Sequence, residues 1–246
     1  MSSENPSSKQ TQRVRKHFIP LESNPEVFTE LVQKLGLSDS LCFQDVLSLD
    51  EPELLAFLPR PAYALILVFP TTDKYKKRVE GEDVKLEDHQ GPDDIVFFKQ
   101  TINNACGLYA MLHAVCNGEA RAKIDGNSIL AKLLHASTTS NTDELAQALE
   151  DSKELEVAYA GVARKGDTEA PDNAEDEVDY HYTAFVKSPK NSHLYQLDGD
   201  RKRPIDLGAL AADEDVLSDT CLGIIRGMVA GEDDNLNFSL MALVKE

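Results

Sequence analysis

Cys106 is the residue around which chemistry can be built in this chain. It follows Gln100-Thr101-Ile102-Asn103-Asn104-Ala105 and precedes Gly107-Leu108. Asn103 and Asn104 are favourable N-cap residues, and the run from Ala105 to Val115 is apolar and helix-forming, which places Cys106 in a first helical turn. There the unpaired backbone N–H groups and the positive end of the helix dipole favour a thiolate, the nucleophilic form of cysteine. Gly107 leaves room for a substrate backbone to approach. Gln100, six positions earlier, can fold back so that its side-chain amide and the Cys106 N–H form an oxyanion hole, in which one donor is worth roughly 3 kcal/mol. Core packing is the common role of a single cysteine; the helix start and the glutamine weigh against it here.

A thiolate needs a base that also protonates the leaving group, and histidine is the usual choice. Of six histidines, His17 borders a polar tail, His89 sits in a charged run, and His193 opens a strand. His113 and His135 fall in helical patterns, where structural roles are expected. His181 differs from them. From His181 to Asp198 two strand-like runs flank the break Lys187–Ser192, which contains Pro189, so a hairpin is expected. A register symmetric about Pro189–Lys190 sets His181 opposite Asp198, with Cβ atoms about 5 Å apart. The carboxylate would then orient the imidazole, as the third member of a triad does. The plainer alternative is a turn at Asp198-Gly199 and a packed histidine. Cys42, Cys116 and Cys221 lie in apolar stretches and read as core. No Cys-x-x-Cys or His-x-x-x-His pair supports a metal site, and neither a metal nor another cofactor is expected.

Several elements must position these groups. Ser23-Asn24-Pro25-Glu26 begins a helix carrying Val27, Leu31, Val32 and Leu35, closed by Gly36. Residues 43–49 alternate as a short strand, 51–58 form a short helix, and Tyr63–Phe69 is apolar on both faces, like a central strand covered on both sides. A helix and surface loop are expected over 74–90, a strand or extended run over 94–100, and helices over 127–137 and 141–151. Strands follow at 180–186 and 193–197, then a helix over 211–220, a strand over 221–225, an acidic turn at 231–235 and a last strand over 238–244. Gly166 to Asp179 is half acidic and aperiodic, an exposed and mobile loop.

The 246 residues carry 25 Lys+Arg against 43 Asp+Glu, a net charge of −18. That field disfavours nucleic acid and anionic membrane surfaces and favours a basic partner. The longest apolar run, 62–69, is too short to span a bilayer. The opening MSSENPSSKQTQRVRK lacks the apolar core of an export signal, so the four cysteines are expected as free thiols in the cytosol or nucleus. Residues 1–15 read as a disordered tail and 16–246 as one domain.

Three segments together, Gln100 to Gly107, His181-Tyr-Thr-Ala-Phe-Val and Leu194-Tyr-Gln-Leu-Asp-Gly199, resemble the active-site segments of the ubiquitin carboxyl-terminal hydrolases. The order Gln, Cys, His, Asp and the Gln-to-Cys spacing agree with that family. The likeness extends to Ile19-Pro-Leu-Glu-Ser-Asn-Pro-Glu26, Pro59-Arg-Pro61, Phe69-Pro70 with Lys74-Tyr75, Thr168-Glu-Ala-Pro171 and Asn237-Phe-Ser-Leu-Met-Ala-Leu243. The turn Lys187–Asn191 is enlarged, and Leu108-Tyr109 and the polar tail depart from the pattern.

The resemblance implies an α+β, papain-like fold: a central antiparallel sheet between helices, with a knotted backbone that general rules would not suggest. It implies Cys106 as nucleophile, His181 as general base and acid, Asp198 as orienting carboxylate and Gln100 in the oxyanion hole. It further implies a monomeric thiol hydrolase acting on ubiquitin. Residues 161–179 would cross above the cleft and admit only small or unfolded leaving groups. Glu22, Glu26 and Asp45 would bind the basic ubiquitin tail, and Ile19, Pro20 and Leu21 would lie along ubiquitin. Two rivals stand beside this reading, a hydrolase for a NEDD8-type modifier and a catalytically dead ubiquitin-binding module.

Overall fold

The structure is a computed structural model and describes residues 15–85, 94–176, 178–231 and 237–246. Its centre is a six-stranded sheet in the order β1-β6-β2-β3-β4-β5: β1 Leu41–Asp45, β2 Ala64–Pro70, β3 Tyr180–Lys187, β4 His193–Leu197, β5 Ile205–Ala209 and β6 Ser239–Lys245. Every pairing is antiparallel. The helices are α1 Pro25–Leu35, α2 Pro52–Leu55, α3 Asp73–Lys85, α4 Cys106–Cys116, α5 Ile129–Thr139, α6 Thr142–Asp151, α7 Lys153–Ala160 and α8 Asp219–Ala230.

The run at β2 is apolar throughout because both of its faces are covered. Ala64, Ile66 and Val68 join the core beneath α1 and α4, while Leu65, Leu67 and Phe69 join a second core with Tyr75 of α3 and Leu222 and Ile225 of α8. Side chains alternate across a strand, so one continuous hydrophobic run feeds two layers. α1 starts as expected, Asn24 accepting the N–H groups of Glu26 and Val27, and ends at Gly36 with φ 110°.

Several elements differ from the sequence expectation. β1 stops at Asp45 because Ser48 accepts the N–H groups of Asp50 and Glu51 and turns the chain toward α2. The helix expected over 211–220 and the strand over 221–225 are replaced by α8. Its N-cap is Ser218, and Cys221, Leu222 and Ile225 are its buried stripe rather than strand residues. The preceding segment is held open: Glu214 accepts the Ala211 N–H, and Lys187 donates to the Ala211, Ala212 and Glu214 carbonyls. Helix α7 and strand β5 were not expected.

Residues 94–100 take the extended alternative and join no strand. The Asn117 side chain accepts from Val96 N–H and donates to Val96 O, and His113 Nε2 accepts the Phe98 N–H. The loop around 86–90 and the acidic turn 231–235 fall outside the described residues, apart from Gly231, as does the polar tail apart from Arg15.

A methyl at Gly36 would meet both the left-handed φ and the overlapping side chain of Ser128. Gly36→Ala is expected to destabilise the fold by roughly 2–4 kcal/mol, read as a lowered urea midpoint.

Candidate active site

Cys106 is the first residue of α4, but no asparagine caps it. The N-cap position is Ala105, without a side-chain cap. Asn104 stands in the left-handed region at φ 57° and donates its amide to the Ala174 and Asp176 carbonyls, both at 2.8 Å. Asn103 instead bonds His17 at 2.7 Å. The first-turn N–H groups of α4 therefore have no side-chain acceptor competing for them, which suits a site that must meet a negative charge.

His181 is the second residue of β3, and its Nε2 lies 2.7 Å from Asp198 Oδ1. The remaining ring nitrogen, Nδ1, lies 3.8 Å from Asp200 Oδ2, and Cys106 is close enough to favour the charged ring. Cys106 is half-buried, with Sγ 4.0 Å from the Tyr180 carbonyl oxygen. Histidine and aspartate are 4% and 1% exposed.

The contact forms in a register other than the symmetric one. Ala184 pairs with Leu197 and Lys187 with Leu194, so the hairpin turns about Lys190–Asn191 and Asp198 is a diagonal neighbour of His181. The cause lies in the turn, where Ser188 Oγ accepts the Lys190 and Asn191 N–H groups and Ser192 adopts φ 62°. A slip of two keeps both side chains on one face, where a slip of one would have separated them.

Burial opposes charge on both partners, and their mutual attraction overrides it. Desolvation alone would depress His181, yet the Asp198 charge and hydrogen bond, followed by Cys106, hold it well above the ordinary imidazole value. Burial would raise Asp198, but His181, the Asp200 N–H and the Tyr75 hydroxyl hold it below the usual carboxylate value. Both shifts favour the charged form of each partner. The other buried histidine nearby, His113, is driven by burial down to about 3 and stays neutral, stacked against Phe97.

The family model for ubiquitin carboxyl-terminal hydrolase, family 1, matches residues 18–230. The chain belongs to the ubiquitin carboxyl-terminal hydrolase family.

Among similar proteins, a probable ubiquitin carboxyl-terminal hydrolase of Dictyostelium discoideum is 35% identical over 234 residues, 94% of this chain and 89% of its own. The ubiquitin carboxyl-terminal hydrolase of Aplysia californica is 39% identical over 80% of this chain and 88% of its own. Human isozyme L1 is 30% identical over 92% of this chain and 97% of its own. The solved catalytic domain of Trichinella spiralis UCH37, bound to ubiquitin vinyl methyl ester, aligns with TM-score 0.71 and 21% identity over 93% of this chain and 95% of that one. That likeness bears on the fold, an α+β antiparallel sheet between helices.

In this hydrolase-family chain Pro20, Leu21 and Glu22 share with Cys106 a cavity of about 340 Å³, closed on the other side by Thr168 and Pro171 of the 161–179 loop. Leu21 is buried in the core, with its carbonyl accepting from Tyr182, and the Ile19 carbonyl accepts from Tyr159. Glu22 is engaged by the loop itself, its carboxylate accepting both the N–H and the hydroxyl of Thr168 at 3.0 Å. Glu26, in the first turn of α1, and Asp45, at the end of β1, are exposed and stand outside the cavity. The described residues of the acidic loop form no helix or strand, and the loop is anchored at Glu22, at Asn104 and by the Asp179 carbonyl to the Thr71 N–H.

Gln100 is fixed through its backbone. Its N–H donates to the Gly199 carbonyl at 2.8 Å, and its carbonyl accepts from Arg15. A Cβ on Gly199 would stand 2.9 Å from that of Gln100, so the glycine after Asp198 admits the glutamine. Sequence reasoning gave no role to Tyr75, Arg201 or Arg15, each of which acts across a long separation that no local pattern marks. Among the described residues no group of three or more His, Cys, Asp or Glu is arranged to hold a metal, and no helix is long and apolar enough to cross a membrane.

A histidine raised on folding adds stability below its unfolded value of about 6.5, and that stability is lost as pH rises through its folded value. Urea stability should therefore fall on the alkaline side in the native chain. Asp198→Asn should lower the His181 titration, followed by NMR of its ring, by roughly 1–3 pH units and remove that alkaline dependence.

Proposed function

We propose that this chain hydrolyses bonds at the carboxyl terminus of ubiquitin, with Cys106 as nucleophile. The observation that carries the reading is the His181–Asp198 contact of 2.7 Å beside Cys106, which opens on a cavity shared with Leu21 and Glu22. The Cys106 thiolate attacks the carbonyl carbon of the terminal glycine, and the oxyanion is met by the Cys106 N–H and the Gln100 side-chain amide. The His181 imidazolium passes its proton to the departing amine, alcohol or thiol, leaving a thioester. His181, now neutral, takes a proton from water as it attacks the thioester and returns it to the sulfur, freeing the carboxylate. Asp198 stays ionised and holds the ring throughout.

The leaving group passes the 161–179 loop, so small adducts and unfolded peptides are the substrates. Ile19, Pro20 and Leu21 lie along ubiquitin, and Glu22, Glu26 and Asp45 meet its basic tail, in keeping with the net charge of −18. Residues 16–246 act as one catalytic domain; pairing of β1 with β6, near the two ends of that span, supports this. The enzyme works without a cofactor as a monomer in the cytosol or nucleus, and the free cysteines fit those compartments.

Ubiquitin carrying a C-terminal electrophile should give one covalent adduct, abolished by Cys106→Ala. Labelling that survives this change overturns the assignment. Labelling only by a NEDD8-type modifier with the same electrophile, or ubiquitin binding without an adduct, would favour one of the two rivals. On a ubiquitin C-terminal fluorogenic amide, Gln100→Ala should lower kcat by about 10²–10³-fold, measured at saturating substrate.

A further inference from the structure

Helix α3 is a polar surface helix, DKYKKRVEGEDVK, yet Tyr75 within it is 7% exposed. Its hydroxyl donates to Asp198 Oδ2 at 2.8 Å. Its ring sits edge-on to Phe69 at 4.8 Å and lies 6.1 Å from the His181 ring, with the Arg78 guanidinium 5.5 Å from its centroid. Packing alone would be served as well by phenylalanine; the hydroxyl adds a directed bond to one oxygen of a buried carboxylate.

The division of labour on that carboxylate is clear. Oδ1 accepts from His181 Nε2 at 2.7 Å and from the Asp200 N–H at 3.0 Å, while Oδ2 takes the tyrosine. With both oxygens tied, the carboxyl plane cannot turn, and Oδ1 stays aimed at the imidazole.

The helix itself is locked to the same stretch of chain. Arg201, three residues beyond Asp198 and 4% exposed, donates from Nε to Asp83 at 2.7 Å and from Nη2 to Glu82 at 2.9 Å. Lys202 adds a bond to the Asp83 carbonyl. The two ends of α3 therefore grip the Asp198–Lys202 segment, Tyr75 at the start and Asp83 near the finish. Burial, and then the facing Asp198 charge, push Tyr75 upward from its ordinary value, so the hydroxyl keeps its proton and remains a donor.

We infer that Tyr75 is a positioning residue for the proposed hydrolysis, holding the second carboxylate oxygen of Asp198 so that the first stays directed at His181. The inference rests on the triad reading given above. The titratable and charged groups facing this cluster are Cys106, Asp200, whose Oδ2 lies 3.8 Å from His181 Nδ1, Arg201 and the neutral His113. None of them donates to Oδ2 among the bonds of the described residues.

Removing the hydroxyl has two consequences. The carboxylate loses one donor and becomes a stronger acceptor toward the imidazolium, which then releases its proton at higher pH. The carboxylate also gains freedom to rotate, so fewer encounters find the ring aligned.

Tyr75→Phe keeps the ring and removes only the bond. On a ubiquitin C-terminal fluorogenic amide, kcat should fall about tenfold, the scale of one hydrogen bond to a charged group, with KM within about twofold. The alkaline limb of kcat/KM should move to higher pH, and labelling of Cys106 by the ubiquitin electrophile should persist. An unchanged kcat with a superimposable pH profile overturns the inference. So does a reduced kcat with an unmoved alkaline limb, which would leave Tyr75 a packing residue. Loss of folded enzyme at alkaline pH would move the limb only to lower pH, so with the folded fraction followed by far-UV circular dichroism across the same pH range a shift to higher pH decides the matter even if the variant is partly destabilised. Failure of the native chain to label or turn over would instead count against the proposed function.

Discussion

The arrangement of the site depends on one buried ion pair, His181 with Asp198, placed where strand β3 starts and the hairpin opens. Taking an imidazolium and a carboxylate out of water costs several kcal/mol for each ion, and attraction offsets this only when the geometry is close and the remaining lone pairs are satisfied. Here the contact is 2.7 Å, and Asp198 is completed by the Asp200 N–H and the Tyr75 hydroxyl. Those partners come from a turn and from a helix more than a hundred residues upstream, so the pair exists only in the assembled fold. The opposing shifts follow: His181 is held high and Asp198 low although burial pushes each the other way. The proton-bearing form of the ring is thereby favoured.

Two straps meet at Cys106. The N-terminal arm runs beside the loop before α4, with Asn103 N–H donating to Lys16 O and Phe18 N–H donating to Asn103 O, His17 on the Asn103 side chain and Arg15 on the Gln100 and Thr101 carbonyls. The 161–179 loop arrives from the other side and is tied to Asn104 and Glu22. A basic ligand that sought Glu22 would have to compete with the Thr168 N–H and hydroxyl. The two asparagines before Cys106 thus serve the straps rather than the helix cap, and the helix N-terminus is left open to the cleft.

Much of this was legible along the chain, for identifiable reasons. The doubly apolar run at β2, the Asn24–Gly36 brackets of α1 and the helix after Asn104 are local signals, each set within one or two turns of chain. Cys106, Gln100, His181 and Asp198 stood out through residue type and spacing, and the fold brings His181 and Asp198 into contact. The segment 211–225 misled because Cys221, Leu222 and Ile225 fit a short strand as well as a helical stripe. What decided it was the Ser218 cap, together with Lys187 and Glu214 holding the preceding residues out of a helix.

The hairpin shows where the boundary lies. Its existence follows from two strand-like runs around Pro189, and its parity follows from the period of two, so His181 and Asp198 had to share a face if the slip was even. The register itself depended on how Ser188 caps the turn. The sequence by itself determined which groups could react and that they could meet. Only the tertiary structure decided what holds them, because Tyr75, Arg201 with Asp83, and Arg15 act across separations at which no periodicity survives and only packing brings donors to acceptors.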